Sequence, residues 1–114
     1  MSNSYLWCVG AALTMMVLDI VTGFIGALKN SNISSSKMRE GLFHKSGLVC
    51  VISVAWVLEI FAYHIPEMGI SVPLVIPACI IIVSMELVSI LENITIINPE
   101  LDSETLNKLF GKSK

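Results

Sequence analysis

The sequence predicts an all-α integral membrane protein with three transmembrane helices. Three long runs are almost entirely apolar and contain no Lys or Arg: Tyr5–Leu28, Ser46–Ile65 and Val72–Leu91. They are 24, 20 and 20 residues long, and about 20 helical residues at about 1.5 Å each cross a hydrocarbon core of about 30 Å. Charged residues make up 14% of the chain, and its mean hydropathy is +0.79. A soluble domain of 114 residues would be too small to cover three helices that are apolar on every side.

The basic residues predict the orientation of the three spans. All seven Lys and Arg lie in two stretches, the first connection and the tail: Lys29, Lys37, Arg39 and Lys45, then Lys108, Lys112 and Lys114. Cytoplasmic loops are enriched in Lys and Arg, so the N-terminus is predicted outside and the C-terminus inside. The four basic residues of the first connection are expected near lipid head groups. Residues 1–91 then form a three-span membrane domain, and residues 92–114 form a cytoplasmic tail.

The first span has one polar face. Asp19, Thr22, Gly23 and Gly26 share this face at helical spacing. Thr22 and Gly26, like Gly23 and Ala27, form a pair of small residues four positions apart, which allows close helix approach in membranes. This face is therefore predicted to lie at an interface.

A helix start is predicted at Ser34-Ser35-Ser36, since Ser is a favoured N-cap residue. The segment that follows, up to Lys45, is either a short interfacial helix that runs into the second span or a solvated loop. Within the second span, residues at helical spacing form one stripe: Ile52, Ala55, Trp56, Glu59 and Tyr63. Tyr63 is placed to hydrogen-bond Glu59 or to anchor the membrane interface.

The third span follows a short turn, so the second and third spans are predicted to form an antiparallel hairpin. Pro73 suits a first helical turn, and Pro77 is expected to kink the helix or to shift its start. The polar stripe of this span has spacings of seven, three and four residues: Cys79, Glu86, Ser89 and Asn93. Beyond it, the leucines of Leu101–Phe110 predict a short amphipathic helix.

Each predicted span contains one acid, namely Asp19, Glu59 or Glu86. A charged residue at the centre of a lipid-facing helix costs about 2.5–3.5 kcal/mol. Because the spans contain no Lys or Arg, no internal ion pair is expected, and the acids must be protonated, face a water-filled cavity or meet one another. Three helices are too few to enclose a wide lumen, so we expect self-association, with a buried hydrogen-bonded acid as the alternative at each position. The residues predicted to line a pore or an oligomer interface are Asp19, Thr22, Gly23, Gly26, Glu59, Tyr63, Glu86, Ser89 and Asn93.

Enzyme chemistry finds no support in the sequence. The two histidines, His44 and His64, are predicted on opposite sides of the membrane. No nucleophile–base pair, metal-ligand spacing or phosphate-binding loop is present, so no catalytic, metal or cofactor site is predicted. The basic stretches are too short to indicate nucleic-acid binding. The three cysteines lie in different spans and suit small packing residues.

Several short motifs resemble one family: Leu18-Asp19-Ile20-Val21-Thr22-Gly23, Ser34-Ser35-Ser36, Arg39-Glu40-Gly41, Lys45-Ser46-Gly47 and Ser89-Ile90-Leu91-Glu92-Asn93. From about Leu18 to Phe110, the chain resembles the small phage-lysis and toxin-secretion holins of Gram-positive bacteria and their phages. The resemblance implies large homo-oligomers that open lesions in the cytoplasmic membrane and release a cell-wall hydrolase or a toxin without a signal sequence. A small ion or proton channel and a non-conducting membrane adaptor are the alternatives.

Overall fold

The structure is a computed structural model that describes residues 3–69, 72–101 and 103–109. Three long helices, one 3₁₀ turn and one short helix follow in order: α1 (Asn3–Lys29), α2 (Ser35–His64), the turn Pro66–Met68, α3 (Val75–Ile97) and α4 (Ser103–Leu109). The long helices contain 27, 30 and 23 residues, so each exceeds the length that crosses a membrane. The predicted all-helical class with three membrane-length helices is confirmed for the described residues.

α1 extends a little beyond the predicted span at each end and closes with a capping motif. Ser31 has a positive φ of 51°, and the N–H of Asn32 donates to the carbonyl of Ala27 at 2.8 Å. The N–H of Ser31 donates to Leu28 at 3.2 Å. These bonds satisfy carbonyls that a helix end would otherwise leave free.

α2 begins eleven residues before the predicted second span. Ser34 is its N-cap, and the Ser34 hydroxyl accepts from the N–H of Lys37. The segment that preceded the predicted span is therefore helical and continuous with it, and the solvated-loop alternative is wrong. The physical reason is that this segment contains no Pro, and its one Gly, Gly41, costs only about 1 kcal/mol in a helix of 30 residues.

α3 starts at Val75, three residues later than predicted, which places Pro77 in its first turn. The N–H groups of a first turn have no intrahelical partner, so Pro77 costs no hydrogen bond there. The expectation that Pro77 shifts the helix start is confirmed. At its other end, α3 continues six residues beyond the predicted limit, to Ile97.

α1 and α3 run parallel and pack most extensively against each other, whereas α2 runs antiparallel to both and has the smallest contact with α1. One core joins all three helices, and its buried members are Ala12, Met16, Ile52, Ala55, Val75, Cys79 and Ile82. Three of these, Ile52, Ala55 and Cys79, belong to the stripes that the sequence predicted. Large apolar side chains cover most of the outer surface. The predicted hairpin of the second and third spans is present.

α4 occupies part of the predicted tail helix. Phe110, Lys112 and Lys114 lie outside the described residues. The amphipathic character of this helix and its cytoplasmic placement stay predictions.

Candidate functional site

Two acids and one cation from three different helices meet inside the bundle. The Lys45 ammonium on α2 lies 2.8 Å from Asp19 Oδ2 on α1 and 3.0 Å from Glu86 Oε1 on α3. The side chains are 12%, 13% and 3% exposed, respectively. The prediction that no internal ion pair shields the acids is therefore wrong. Lys45, which was expected near lipid head groups, points into the bundle because it lies on the inner face of the longer α2.

Hydroxyl and amide groups complete the surroundings of Asp19. The second oxygen of its carboxylate, Oδ1, accepts from Ser89 Oγ at 2.7 Å and from Asn93 Nδ2 at 2.9 Å. Asn93 Nδ2 also lies 3.0 Å from Thr22 Oγ1, which itself donates to the carbonyl of Leu18. The polar faces predicted on α1 and α3 thus meet within one chain. We call Asp19, Thr22, Lys45, Glu86, Ser89 and Asn93 the polar cluster.

Gly23 and Gly26 allow α1 to approach α3 beside the polar cluster. A Cβ atom at Gly23 would lie 3.5 Å from Asn93 Nδ2, and one at Gly26 would lie 3.3 Å from a methyl carbon of Ile96. The second distance is shorter than ordinary van der Waals contact. The structure places both glycines between helices of the same chain, and their role between copies stays a prediction.

Glu59 lies at the opposite end of α2 from Lys45 and meets the start of α3. Its Oε1 accepts from the backbone N–H groups of Leu74 at 2.8 Å and Val75 at 2.9 Å. These donors belong to the unpaired first turn of α3, so Glu59 acts as a cap supplied by another helix. Tyr63 is 82% exposed and meets His64 edge to face. The suggested Tyr63–Glu59 hydrogen bond is not formed.

Comparison with protein families decides the identity. The sequence model of the bacteriophage holin family matches residues 1–111. The chain belongs to the bacteriophage holin family. No curated protein and no solved structure matches it. The family and the three membrane-length helices together establish this holin as a multi-pass membrane protein.

The remaining basic residues of the holin's first connection have different surroundings. Lys29 Nζ donates to the carbonyls of Ile96 at 3.2 Å and Ile97 at 3.0 Å, where α3 ends. A cation at this place offsets the partial negative charge of a helix C-terminus. Lys37 and Arg39 are exposed on the first turns of α2. Whether these side chains contact head groups stays a prediction.

A spacing pattern in the holin's sequence indicates that Lys45 faces the bundle interior, but the predicted second span began one residue later, at Ser46. Lys45 precedes Ile52 by seven residues, and Ala55 and Glu59 follow at intervals of three and four. These are the same intervals that align Cys79, Glu86, Ser89 and Asn93 on α3. Extending the second stripe by two turns would have placed a cation on the inner face.

Proposed function

We propose that this holin assembles in the cytoplasmic membrane into large homo-oligomeric lesions, which release a cell-wall hydrolase or a protein toxin without a signal sequence. The observation that carries the proposal is the family match over residues 1–111. Three helices whose outer surfaces are largely apolar support it. We further propose that the N-terminus lies outside and the tail inside, which the positions of the Lys and Arg residues support.

The polar cluster supports a mechanism that couples opening to assembly. α2 contributes one charged group to the cluster, Lys45, and packs less extensively than α1 and α3 pack on each other. Moving α2 outward in a lone protomer would expose charged groups to lipid, at about 2.5–3.5 kcal/mol each. In an assembly of several protomers, the same groups would face water. Opening is therefore favoured only after enough protomers have collected.

The size of what passes is the test of this function. The full chain is produced in bacterial cells that contain a folded cytoplasmic reporter enzyme, and release of the reporter is followed together with proton leak. Release of the folded enzyme is the expected result. Passage of protons or small ions alone would identify a small channel instead. No leak of either kind would identify a non-conducting adaptor.

Asp19→Leu is expected to insert into the membrane but to release the reporter at least about tenfold more slowly. The reason is that this variant removes a carboxylate that would face water in the open assembly, and about 1.4 kcal/mol corresponds to a factor of ten. Ser84→Leu is the control, because Ser84 is exposed and bonds only the carbonyl of Ile80 in its own helix. Equal release by Asp19→Leu and Ser84→Leu, at equal membrane levels, would contradict the mechanism.

A further inference from the structure

A groove of about 440 Å³ separates the first part of α2 from the α1–α3 pair. One end of the groove, which we call its mouth, is lined by the connection between α1 and α2, and the other, inner end reaches the ion pair of Lys45 and Asp19. Ligand pockets in proteins have volumes of about 300–1,000 Å³. The proposed lesion assigns no role to this groove.

The groove is polar at both ends and apolar between them, since Asp19, Lys45, Ser89 and Asn93 line its inner end. Polar side chains surround the mouth: Asn30, Asn32, Ser34 and Lys37. Apolar side chains form the walls further in, among them Phe24, Met38 and Leu42. Each of these three is partly accessible, with 42–56% of its surface exposed. The apolar section beside the polar mouth suits a molecule that joins a polar group to an apolar chain.

The charges of the groove favour an anion at the mouth. Lys37 and Lys45 are its two lysines, and Asp19 is its one acid. Lys45 is already bonded to Asp19 and Glu86. No described residue pairs with the Lys37 ammonium. The Lys37 ammonium at the mouth is therefore available to bind an anion from outside the chain.

The length of the groove matches one leaflet of a bilayer. Along α1 it extends from Asp19 to Asn30, which is about 16 Å at about 1.5 Å per residue. The hydrocarbon core is about 30 Å thick, so one leaflet contributes about half of that. A phospholipid whose head group lies at the mouth would thus place its acyl chain beside the apolar walls.

We propose that this groove binds one anionic phospholipid of the surrounding leaflet. Its phosphate contacts Lys37, and one acyl chain lies between Phe24 on α1 and Met38 and Leu42 on α2. The bound lipid fills the space that the weak contact between α1 and α2 leaves open. It accounts for the positive charge at the mouth and for the apolar walls next to it.

Two glycines of α2 provide a matched test of the space. A Cβ atom at Gly41 or at Gly47 would meet nothing within 4 Å, but only Gly41 lines the groove. The full-length holin is reconstituted in equal amounts of phosphatidylcholine and phosphatidylglycerol, extracted in mild detergent and examined by native mass spectrometry. Gly41→Leu is expected to lose the retained phosphatidylglycerol, and Gly47→Leu is expected to keep it.

Two cations of α2 provide a matched test of the charge. Lys37 lines the groove, whereas Arg39, two residues later, does not. Because a lysine near an anionic lipid contributes about 1 kcal/mol, Lys37→Gln should lower the preference for phosphatidylglycerol over phosphatidylcholine about fivefold. Arg39→Gln should leave the preference unchanged. An excess of inorganic phosphate should not displace the lipid, since phosphate lacks an acyl chain.

Three results would overturn the proposal. The first is equal retention of phosphatidylglycerol by Gly41→Leu and Gly47→Leu, or by Lys37→Gln and Arg39→Gln. The second is displacement by inorganic phosphate, which would indicate a site for a free anion. The third is a changed protomer number in Gly41→Leu with lipid retention unchanged, which would indicate a second copy in the groove. If Gly41→Leu does not insert, the charge pair alone decides.

Discussion

The two ends of α2 shelter acids in different ways. At one end, Lys45 reaches Asp19 and Glu86, which belong to two other helices. At the other end, Glu59 of α2 accepts two backbone N–H groups from the start of α3. The first arrangement joins three helices through one flexible cation. The second joins two helices through donors that the backbone supplies whatever the side chains are.

This difference indicates which part of the bundle opens most easily. Backbone donors at a helix start keep their positions as long as the helix exists. The polar cluster instead depends on one side chain, Lys45, and a cluster of charges that loses its counter-ion becomes costly in a low-dielectric site. We therefore expect the Glu59 end to act as the fixed end of α2 and the Lys45 end as the end that moves.

Lys45→Leu is expected to have the largest effect on the stability of the bundle. This change leaves two buried carboxyl groups without their cation, and removing one partner of a buried ion pair costs about 3–5 kcal/mol. The free energy of unfolding should fall by that amount in detergent micelles, measured by the loss of helicity on titration with a denaturing detergent. Arg39→Leu is the control on the same helix, and its exposed position away from the groove predicts a change within about 0.5 kcal/mol.

A triple variant separates charge from packing at the same site. Adding Asp19→Asn and Glu86→Gln to Lys45→Leu removes the uncompensated charges and keeps the shapes of the two side chains. Most of the lost stability should return, because replacing a whole buried ion pair is far less costly than removing half of it. No recovery in the triple variant would mean that Lys45 stabilises the bundle by packing alone.

A smaller effect is expected at Glu59. Glu59→Leu leaves the N–H groups of Leu74 and Val75 without their acceptor, and each unsatisfied buried donor costs about 1–3 kcal/mol. Val75 is buried, but both hydrogen bonds to Glu59 are only partly buried, so we expect a total near the lower end, about 2 kcal/mol. Glu59→Gln retains a carbonyl oxygen and should cost less. Hydrogen exchange at the two amides reads out the cap directly, and equal exchange rates in both variants would refute it.

The sequence predicted the helices better than it predicted what stabilises them. Hydrophobic length is a local signal, and it placed three of the four ends of α1 and α3 within three residues. The Ser34 cap, also a local signal, located the start of α2. Lys45 was missed because counting basic residues assigns each of them to a connection on the cytoplasmic side, and this rule does not consider helix faces. The cap from Glu59 was missed for another reason. It joins residues 15 positions apart, across a turn whose geometry no local pattern describes.

The smallest expected effect compares two glycines at opposite ends of α1. Gly26 lies beside the polar cluster, where an added Cβ would come within 3.3 Å of Ile96, whereas a Cβ at Gly10 would meet nothing within 4 Å. Ala is favoured over Gly in a helix by up to about 1 kcal/mol, so Gly10→Ala should stabilise the holin slightly. In Gly26→Ala the crowding of Ile96 should cancel that gain or reverse it, because α1 and α3 must separate by a few tenths of an ångström. Unfolding titrations of the two variants measure the difference. An equal gain in both would mean that close approach of α1 to α3 at the cluster end does not depend on the missing side chain of Gly26.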